Sequence, residues 1–228
     1  MNNPAFQEND PSYYRVTKVR MLPLIPPGPN VVLDLGCAAG RTGLKLLETN
    51  RAAYLVGVEI FGPAAQEARK HYDEVIVGDL EDMHLDYKGR FDFVICGDIL
   101  EHLKNPYRIV SEAYHWLKPG GHLLVCLPNV RYWAVLKDLL LLGRWTYTAA
   151  GVLDQTHLRF FTRSSCAQML EAAGFQVVHL QMIVHGPKKN LANRLTGRLF
   201  EQFLGSQVLA SGRRAPERAE HGHGSPLP

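Results

Sequence analysis

An apolar run leads directly into a loop of small residues in Val31-Val32-Leu33-Asp34-Leu35-Gly36-Cys37-Ala38-Ala39-Gly40, and a segment with helical spacing follows at 41–48. Such a run bounded by turn residues predicts a buried parallel strand. The small side chains would let a ligand approach the backbone at the carboxyl end of this strand, where open α/β sheets bind ligands. We therefore interpret the loop as a site for a nucleotide-like cofactor. An ordinary tight turn is the alternative, because Ala38 and Arg41 depart from the glycine pattern of dinucleotide-binding loops.

The same alternation of strand and helix continues outward from this loop. Further strands are predicted at 53–58, 74–77, 91–96 and 122–127, and helices at 63–72 and 106–117. Strands and helices that alternate at this spacing form right-handed βαβ units. We therefore predict a single α/β domain with a doubly wound, Rossmann-like sheet that is covered by helices on both faces.

Segment 129–161 interrupts the alternation and is predicted to be an inserted helical lid or substrate segment. Its part 132–147 is rich in leucine and tryptophan. We favour a lid that closes over an apolar or partly apolar substrate. The alternatives are docking to a membrane surface through Lys137 and Arg144, and a helix packed on the core or on a second subunit.

The remaining boundaries follow from composition. Residues 1–30 are interpreted as an N-terminal lead-in, in which Tyr13 and Tyr14 could fold over the cofactor, and residues 31–210 as the domain. A helix is predicted at 163–173, a strand at 175–184 and another helix at 188–204. A last short strand is predicted at 207–210. Residues 211–228 are expected to be disordered, because they hold too little apolar surface to bury.

Overall composition is that of a globular protein. The 228 residues are 46% hydrophobic and 21% charged, with a net charge of +3. This charge is well below that of a dedicated nucleic-acid binder, and no basic strip interleaved with aromatic residues is present. No apolar run approaches the length of a membrane span, and residues 1–10 lack an apolar signal core, so we expect a cytoplasmic protein. The four widely spaced cysteines are expected to be buried, reduced thiols.

Acidic residues follow two more of the predicted strands. Glu59 ends the second strand, where a carboxylate can accept hydrogen bonds from ribose hydroxyls; a solvated acid at a strand end is the alternative. Asp79 and Leu80 follow the third strand and suit the edge and face of an adenine ring, although they could also form a simple turn.

Two histidines are candidates for catalysis. If the turn after the fourth strand is helical, Asp98, Glu101 and His102 share one face. His102 could then be a general base, the three side chains could bind a divalent metal, or Glu101 and His102 could simply order the loop. His157 lies in 154–162, beside residues expected to be in the core, where a polar ring needs a partner.

Taken together, these motifs resemble those of the class I S-adenosylmethionine-dependent methyltransferases. Segments 97–103 and 117–121 resemble later signatures of that family, and the resemblance covers roughly residues 28–185. It implies a seven-stranded sheet whose last strand is antiparallel, S-adenosylmethionine as cofactor and S-adenosylhomocysteine as product. The residues that it places around the cofactor are Asp34, Gly36, Cys37, Gly40, Glu59, Asp79, Leu80 and Asp98.

The acid-x-x-Glu-His turn and the later histidine also resemble those of ubiquinone-pathway O-methyltransferases and small-RNA 2′-O-methyltransferases. In those families such groups bind a divalent cation, and the matching positions here are Asp98, Glu101, His102 and His157. Aspartate replaces the usual glutamate at position 98, so we do not favour a metal.

We expect a methyltransferase that acts on oxygen of a small molecule, such as a natural product, a sugar or a lipid-linked acceptor, with His102 or His157 as base. The alternatives are the metal-assisted reaction, a non-catalytic cofactor-binding partner protein and a nicotinamide-dependent oxidoreductase. A nucleic-acid substrate is not favoured, and the sequence does not indicate an oligomeric state.

Overall fold

The computed structural model describes residues 17–216, which form one seven-stranded sheet with the order β3-β2-β1-β4-β5-β7-β6. Strand β7 runs antiparallel to both of its neighbours, and the other neighbouring pairs are parallel. The predicted topology, including the antiparallel last strand, is confirmed. The strands are β1 Val31–Leu35, β2 Tyr54–Glu59, β3 Glu74–Val77, β4 Phe91–Gly97, β5 Leu117–Pro128, β6 Gln176–Val184 and β7 Gly205–Arg213.

Within the described residues, seven α-helices connect or flank these strands. They are α1 Arg41–Glu48, α2 Gly62–Ala68, α3 Pro106–Trp116, α4 Trp133–Leu142, α5 Arg163–Ala172, α6 Pro187–Leu195 and α7 Glu201–Leu204. Two helix starts have the caps that the sequence predicts. The Asn105 side chain accepts a hydrogen bond from Arg108 N, and Thr162 forms a reciprocal capping box with Ser165.

The core lies on both faces of the sheet, because side chains alternate along each strand. Leu33 and Leu35 of β1 belong to an apolar cluster that includes residues of α3 and α5. Val32 belongs to a second cluster, which includes residues of α1 and α2. Cys37, Cys96, Cys126 and Cys166 are buried free thiols, as predicted.

Two predicted boundaries are wrong at the ends of the domain. Strand β7 continues past residue 210, and in this extension Ser211 pairs with Leu124 and Gly212 with Leu123. Residues 211–213 have little apolar surface of their own, and the neighbouring strands supply the apolar cover. In the lead-in, Met21 and Ile25 are fully buried in the second cluster, so its described part belongs to the domain. Tyr13 and Tyr14 of the lead-in lie outside the described residues. The remainder of the predicted tail, 217–228, also lies outside them.

The amphipathic helix predicted for 188–204 is two helices, α6 and α7. The helical path is broken between them, where Gly197 and Arg198 have φ angles of 58° and 64°. A left-handed backbone cannot continue a right-handed helix.

Candidate active site

The loop after β1 turns sharply against the end of β2. Gly36 N and Cys37 N both donate to Val58 O, at 2.8 and 3.1 Å, and Gly36 has a φ of 66°. A β-carbon on Gly36 would come within 3.0 Å of the Ile99 side chain. Glycine is therefore required for both the conformation and the space of this turn.

A cavity of about 750 Å³ opens beside this loop at the carboxyl ends of the parallel strands. Its volume is typical of a site for a small molecule or cofactor. Most of the predicted site residues line it, namely Gly36, Cys37, Glu59, Asp79, Leu80, Asp98, His102 and His157.

Asp34 and Gly40, which were also predicted to contact the cofactor, are not among the lining residues. Asp34 is 2% exposed, and its Oδ2 accepts a hydrogen bond from Tyr72 OH at 2.6 Å. Burial raises the pKa of Asp34 to about 6, against the opposing effects of the Tyr72 hydrogen bond and of Lys18. Gly40 packs so closely on α2 that an added β-carbon would lie 2.8 Å from Ala68 Cα. Both residues shape the loop from behind.

Glu59 is held by backbone amides at the rim of the cavity. Its Oε2 accepts from Ala38 N at 2.8 Å and its Oε1 from Phe61 N at 2.9 Å. Burial raises the pKa of Glu59, and these amides oppose that rise. Because a carboxylate oxygen has two acceptor sites, each oxygen can still receive a ligand hydroxyl.

Asp79 and Leu80 form the neighbouring wall after β3. Asp79 Oδ1 accepts from Glu81 N at 2.8 Å, which fixes the turn, and Leu80 is 6% exposed. The Arg108 guanidinium of α3 donates to Leu80 O. This wall therefore presents a carboxylate and an apolar surface from a fixed backbone.

The turn after β4 is not the α-helical turn that would place Asp98, Glu101 and His102 on one face. Asp98 has a φ of 50°, and a short 3-10 turn spans Leu100–His102. Asp98 is instead bound by Gln207 Nε2 at 2.8 Å and by Lys18 Nζ at 3.3 Å. The alternative in which Asp98, Glu101 and His102 together bind a metal is therefore not supported by this geometry.

Lys18 and Gln207 are site residues that the sequence analysis missed, and both line the cavity. Lys18 Nζ also donates to Gly97 O. Burial lowers the pKa of the Lys18 ammonium, but the surrounding carboxylates, Asp98 first, outweigh it and the net pKa is raised. No motif surrounds either residue, so only the fold could identify them.

Buried Glu101 and His157 form a cluster with half-buried His102, and their potential ligand atoms all lie within 4.8 Å of one another. The two imidazole rings meet edge to face with centroids 4.9 Å apart, and His157 Nε2 lies 4.0 Å from Glu101 Oε1. Among the described residues, no group donates a hydrogen bond to Glu101 Oε2.

Backbone carbonyls hold both histidines by Nδ1. His157 Nδ1 lies 3.0 Å from Val152 O, and His102 Nδ1 lies 3.2 Å from Thr156 O. Since a carbonyl only accepts, Nδ1 carries the hydrogen in each ring, and Nε2 of the neutral ring is left as the acceptor.

Burial is the largest cause of the pKa shifts of Glu101 and His102. It raises the pKa of Glu101 well above the usual range, with a further increase from Asp98. Burial, and then the neighbouring His157, lower the pKa of His102 to about 4. His102 is therefore a neutral imidazole at pH 7.

The inserted segment delivers His157 to this cluster. Leu158 N and Arg159 N donate to Glu101 O at 2.8 and 3.0 Å, which ties the segment to the turn after β4. Residues 150–152, 154 and 157–158 line the cavity, but no residue of α4 does. The helical part 132–147, which was predicted to be the lid, therefore does not border the cavity, and only the later part of the inserted segment does. No helix within 17–216 is long and apolar enough to cross a bilayer.

Comparison with known proteins agrees with this geometry. A family model described as a methyltransferase domain matches residues 6–180. The demethylmenaquinone methyltransferase of Lactiplantibacillus plantarum is 30% identical over 176 residues, which are 68% of this chain and 74% of that protein. The ubiquinone biosynthesis O-methyltransferase of Coxiella burnetii is 25% identical over 165 residues, 70% of this chain and 69% of that protein.

The fold has similar solved structures as well. A SAM-dependent methyltransferase from Archaeoglobus fulgidus superposes with a TM-score of 0.65 at 16% identity, over 93% of this chain and 100% of that one. At this identity the likeness concerns the fold alone.

Proposed function

Because the chain belongs to the methyltransferase-domain family and is an S-adenosylmethionine-dependent methyltransferase, we propose that it methylates an oxygen atom of a small-molecule acceptor. The observation that carries this proposal is the cluster of Glu101, His102 and His157 in the wall of the cavity. Family membership also removes the nicotinamide-dependent oxidoreductase from consideration.

The cavity fits the cofactor in shape and charge. Seven carboxylates and two lysines line it, and an excess of negative charge favours a sulfonium cation. In this proposal the Glu59 carboxylate receives the ribose hydroxyls, and Asp79 and Leu80 receive the adenine. Gly36 and Cys37 allow the backbone to approach the rest of the molecule, and Asp98 borders it.

When bound, S-adenosylmethionine supplies an electrophilic methyl group. The protein must hold the acceptor hydroxyl in line and accept its proton. His157 Nε2 is our candidate for that base, since its Nδ1 is fixed by Val152 O and Glu101 Oε1 stands 4.0 Å away. The Glu101 carboxylate would stabilise the imidazolium that forms, while neutral His102 packs against the ring.

The experiment measures S-adenosylhomocysteine release from the full chain with phenolic, sugar and lipid-linked hydroxyl acceptors. His157→Ala should reduce turnover by about a hundredfold or more and leave the Kd for S-adenosylmethionine unchanged by calorimetry. His84→Ala, at an exposed position, is the matched control. Unchanged turnover in His157→Ala would remove this residue from the mechanism.

Cofactor placement is tested separately. Gly36→Val and Glu59→Ala should each weaken cofactor binding, because the first fills the space beside Ile99 and the second removes the amide-held carboxylate. Binding that survives both changes would contradict the proposed position of the cofactor. Cofactor binding without turnover of any acceptor would instead favour the non-catalytic alternative.

A metal-assisted form of the reaction is a second candidate, favoured by the buried Glu101 Oε2 that accepts no hydrogen bond from the described residues. Two histidines held by backbone carbonyls beside a carboxylate are typical metal ligands, and the set suits Mn, Fe, Co or Zn better than Mg. Such a metal would supply a Lewis acid at Glu101, His102 and His157.

Thermal unfolding with Mn²⁺, Zn²⁺ or EDTA tests this candidate without an acceptor. A metal that binds the folded chain should raise the Tm, and Glu101→Gln should abolish that rise. A wild-type Tm that does not respond to either metal or to EDTA would eliminate the metal-assisted reaction.

A further inference from the structure

Among the described residues, the apolar side chains with the highest exposed fractions lie in α4 and in the region of α6 and α7. Leu140 and Leu141 at the end of α4 are 75% and 77% exposed, and Leu195 and Leu199 are 79% and 74% exposed. Clusters of exposed apolar side chains of this kind mark an interaction surface.

The end of α4 is exposed around its whole circumference. Residues 139–142 are four consecutive leucines, all exposed, and successive residues of a helix point about 100° apart. Val135 is the one buried residue of this helix within the described structure. A flat protein surface would cover one side of such a helix, whereas the interfacial region of a bilayer surrounds it.

Contacts join the two regions into one surface. Lys189 Nζ of α6 donates to Tyr132 OH at the start of α4 and lies 5.8 Å from the centroid of the Trp133 ring. The Arg131 guanidinium donates to Gln202 Oε1 of α7 at 2.7 Å. We call residues 131–147 and 186–204 together the apolar-basic surface.

The charge of this surface indicates its partner. Residues 131–147 hold three basic and one acidic side chain, and residues 186–204 hold four basic and one acidic. Their net charge of +5 exceeds the +3 of the entire chain, so the remainder is acidic. A second copy docked through the same surface would bring like charges together, whereas anionic lipid headgroups complement them.

We propose that the apolar-basic surface docks on an anionic membrane surface, with the leucines of α4 inserted among the lipids and the basic side chains at the headgroups. Tryptophan suits this interface, and Trp133 and Trp145 are 42% and 37% exposed. The cavity is close to this surface along the chain. The Trp145 ring contacts the Phe160 ring with 5.2 Å between their centroids, and residues 150–158, which lie between the two, contribute to the cavity wall.

The test uses the full chain and needs neither cofactor nor acceptor, so its failure is distinct from failure of the proposed reaction. Sedimentation with vesicles of phosphatidylcholine, with and without phosphatidylglycerol, measures the bound fraction. We expect binding to the anionic vesicles that weakens as salt is added, with a blue shift of tryptophan emission.

The double variant Leu140→Glu and Leu141→Glu should reduce vesicle binding by about tenfold or more, with an unchanged far-ultraviolet spectrum. Leu47→Glu, at a 40% exposed position of α1, is the matched control and should bind as wild type does. Failure to bind anionic vesicles would overturn the proposal. A dimer seen by light scattering, and abolished by the double variant, would overturn it in favour of a second copy.

Discussion

Tyr72→Phe removes one oxygen atom that supports the cofactor loop from behind. The Tyr72 hydroxyl donates to Asp34 Oδ2 at 2.6 Å and accepts from Gly43 N at 3.0 Å. Tyr72 and Asp34 are 6% and 2% exposed, so water cannot readily replace the lost hydroxyl. Both partners would be left without this hydrogen bond inside the protein.

The two losses have different dependence on pH. A hydrogen bond to a charged group contributes about 1.5–3 kcal/mol, and a buried amide left unpaired costs about 1–3 kcal/mol. Burial already raises the pKa of Asp34 to about 6, and the Tyr72 hydrogen bond opposes that rise. Removing the hydroxyl therefore raises the pKa of Asp34 further.

The sign follows from proton binding. A carboxyl with a folded-state pKa above its unfolded value binds more protons when folded, so stability falls as pH rises through the folded pKa. In Tyr72→Phe this fall extends to higher pH than in the wild type. The variant should lose about 1–3 kcal/mol near pH 5, chiefly from Gly43, and about 2.5–6 kcal/mol near pH 8, where both losses add.

Urea unfolding followed by circular dichroism at both pH values measures these differences. Tyr107→Phe, at a 55% exposed position, should change little at either pH. In an Asp34→Asn background the pH dependence of the Tyr72→Phe loss should vanish. An equal loss for Tyr72→Phe at both pH values would refute the assignment of Asp34 as the titrating group.

Three further predictions concern the loop, a helix start and the cavity charge. Gly40→Ala should lower the free energy of unfolding by about 1–2 kcal/mol because of the left-handed backbone at this position, and by more because of contact with Ala68. Calorimetry should show a lower Tm, and titration should show weaker cofactor binding. Thr162→Ala breaks the capping box and should cost about 1 kcal/mol in urea unfolding, without changing the cofactor Kd. Because the acidic cavity attracts the extra positive charge of S-adenosylmethionine, added salt should weaken its binding, by calorimetry, more than that of S-adenosylhomocysteine.

Most of the sheet could be predicted because its strands are buried on both faces. Runs such as Val31–Leu35 and Phe91–Gly97 are apolar except for one aspartate in each, and flanking turn residues mark their ends. The same rule fails at 211–213, where serine, glycine and arginine pair between two strands. Helical periodicity likewise could not detect the break at Gly197 and Arg198, since the apolar spacing continues across it.

Within the candidate site, residues next to a strand end could be predicted, but the direction of each side chain could not. Gly36 and Asp34 lie two positions apart, yet only Gly36 lines the cavity. Asp34 points instead to Tyr72, 38 residues away. Proximity of a motif to a strand end therefore does not distinguish a ligand contact from a residue that supports the loop.

The antiparallel strand explains why Gln207, far along the chain, reaches the site. Parallel strands place their carboxyl ends at the cavity, whereas β7 runs the other way and places its first residues there. Gln207 pairs with Pro128 at the end of β5, and its side chain binds Asp98, 109 residues earlier. The Asn129 side chain donates to Gly205 O at 2.7 Å and to Gln202 O at 2.8 Å, so the start of β7 is fixed to the start of the inserted segment. The reversal of one strand thus connects the apolar-basic surface to the wall of the cavity through a few hydrogen bonds.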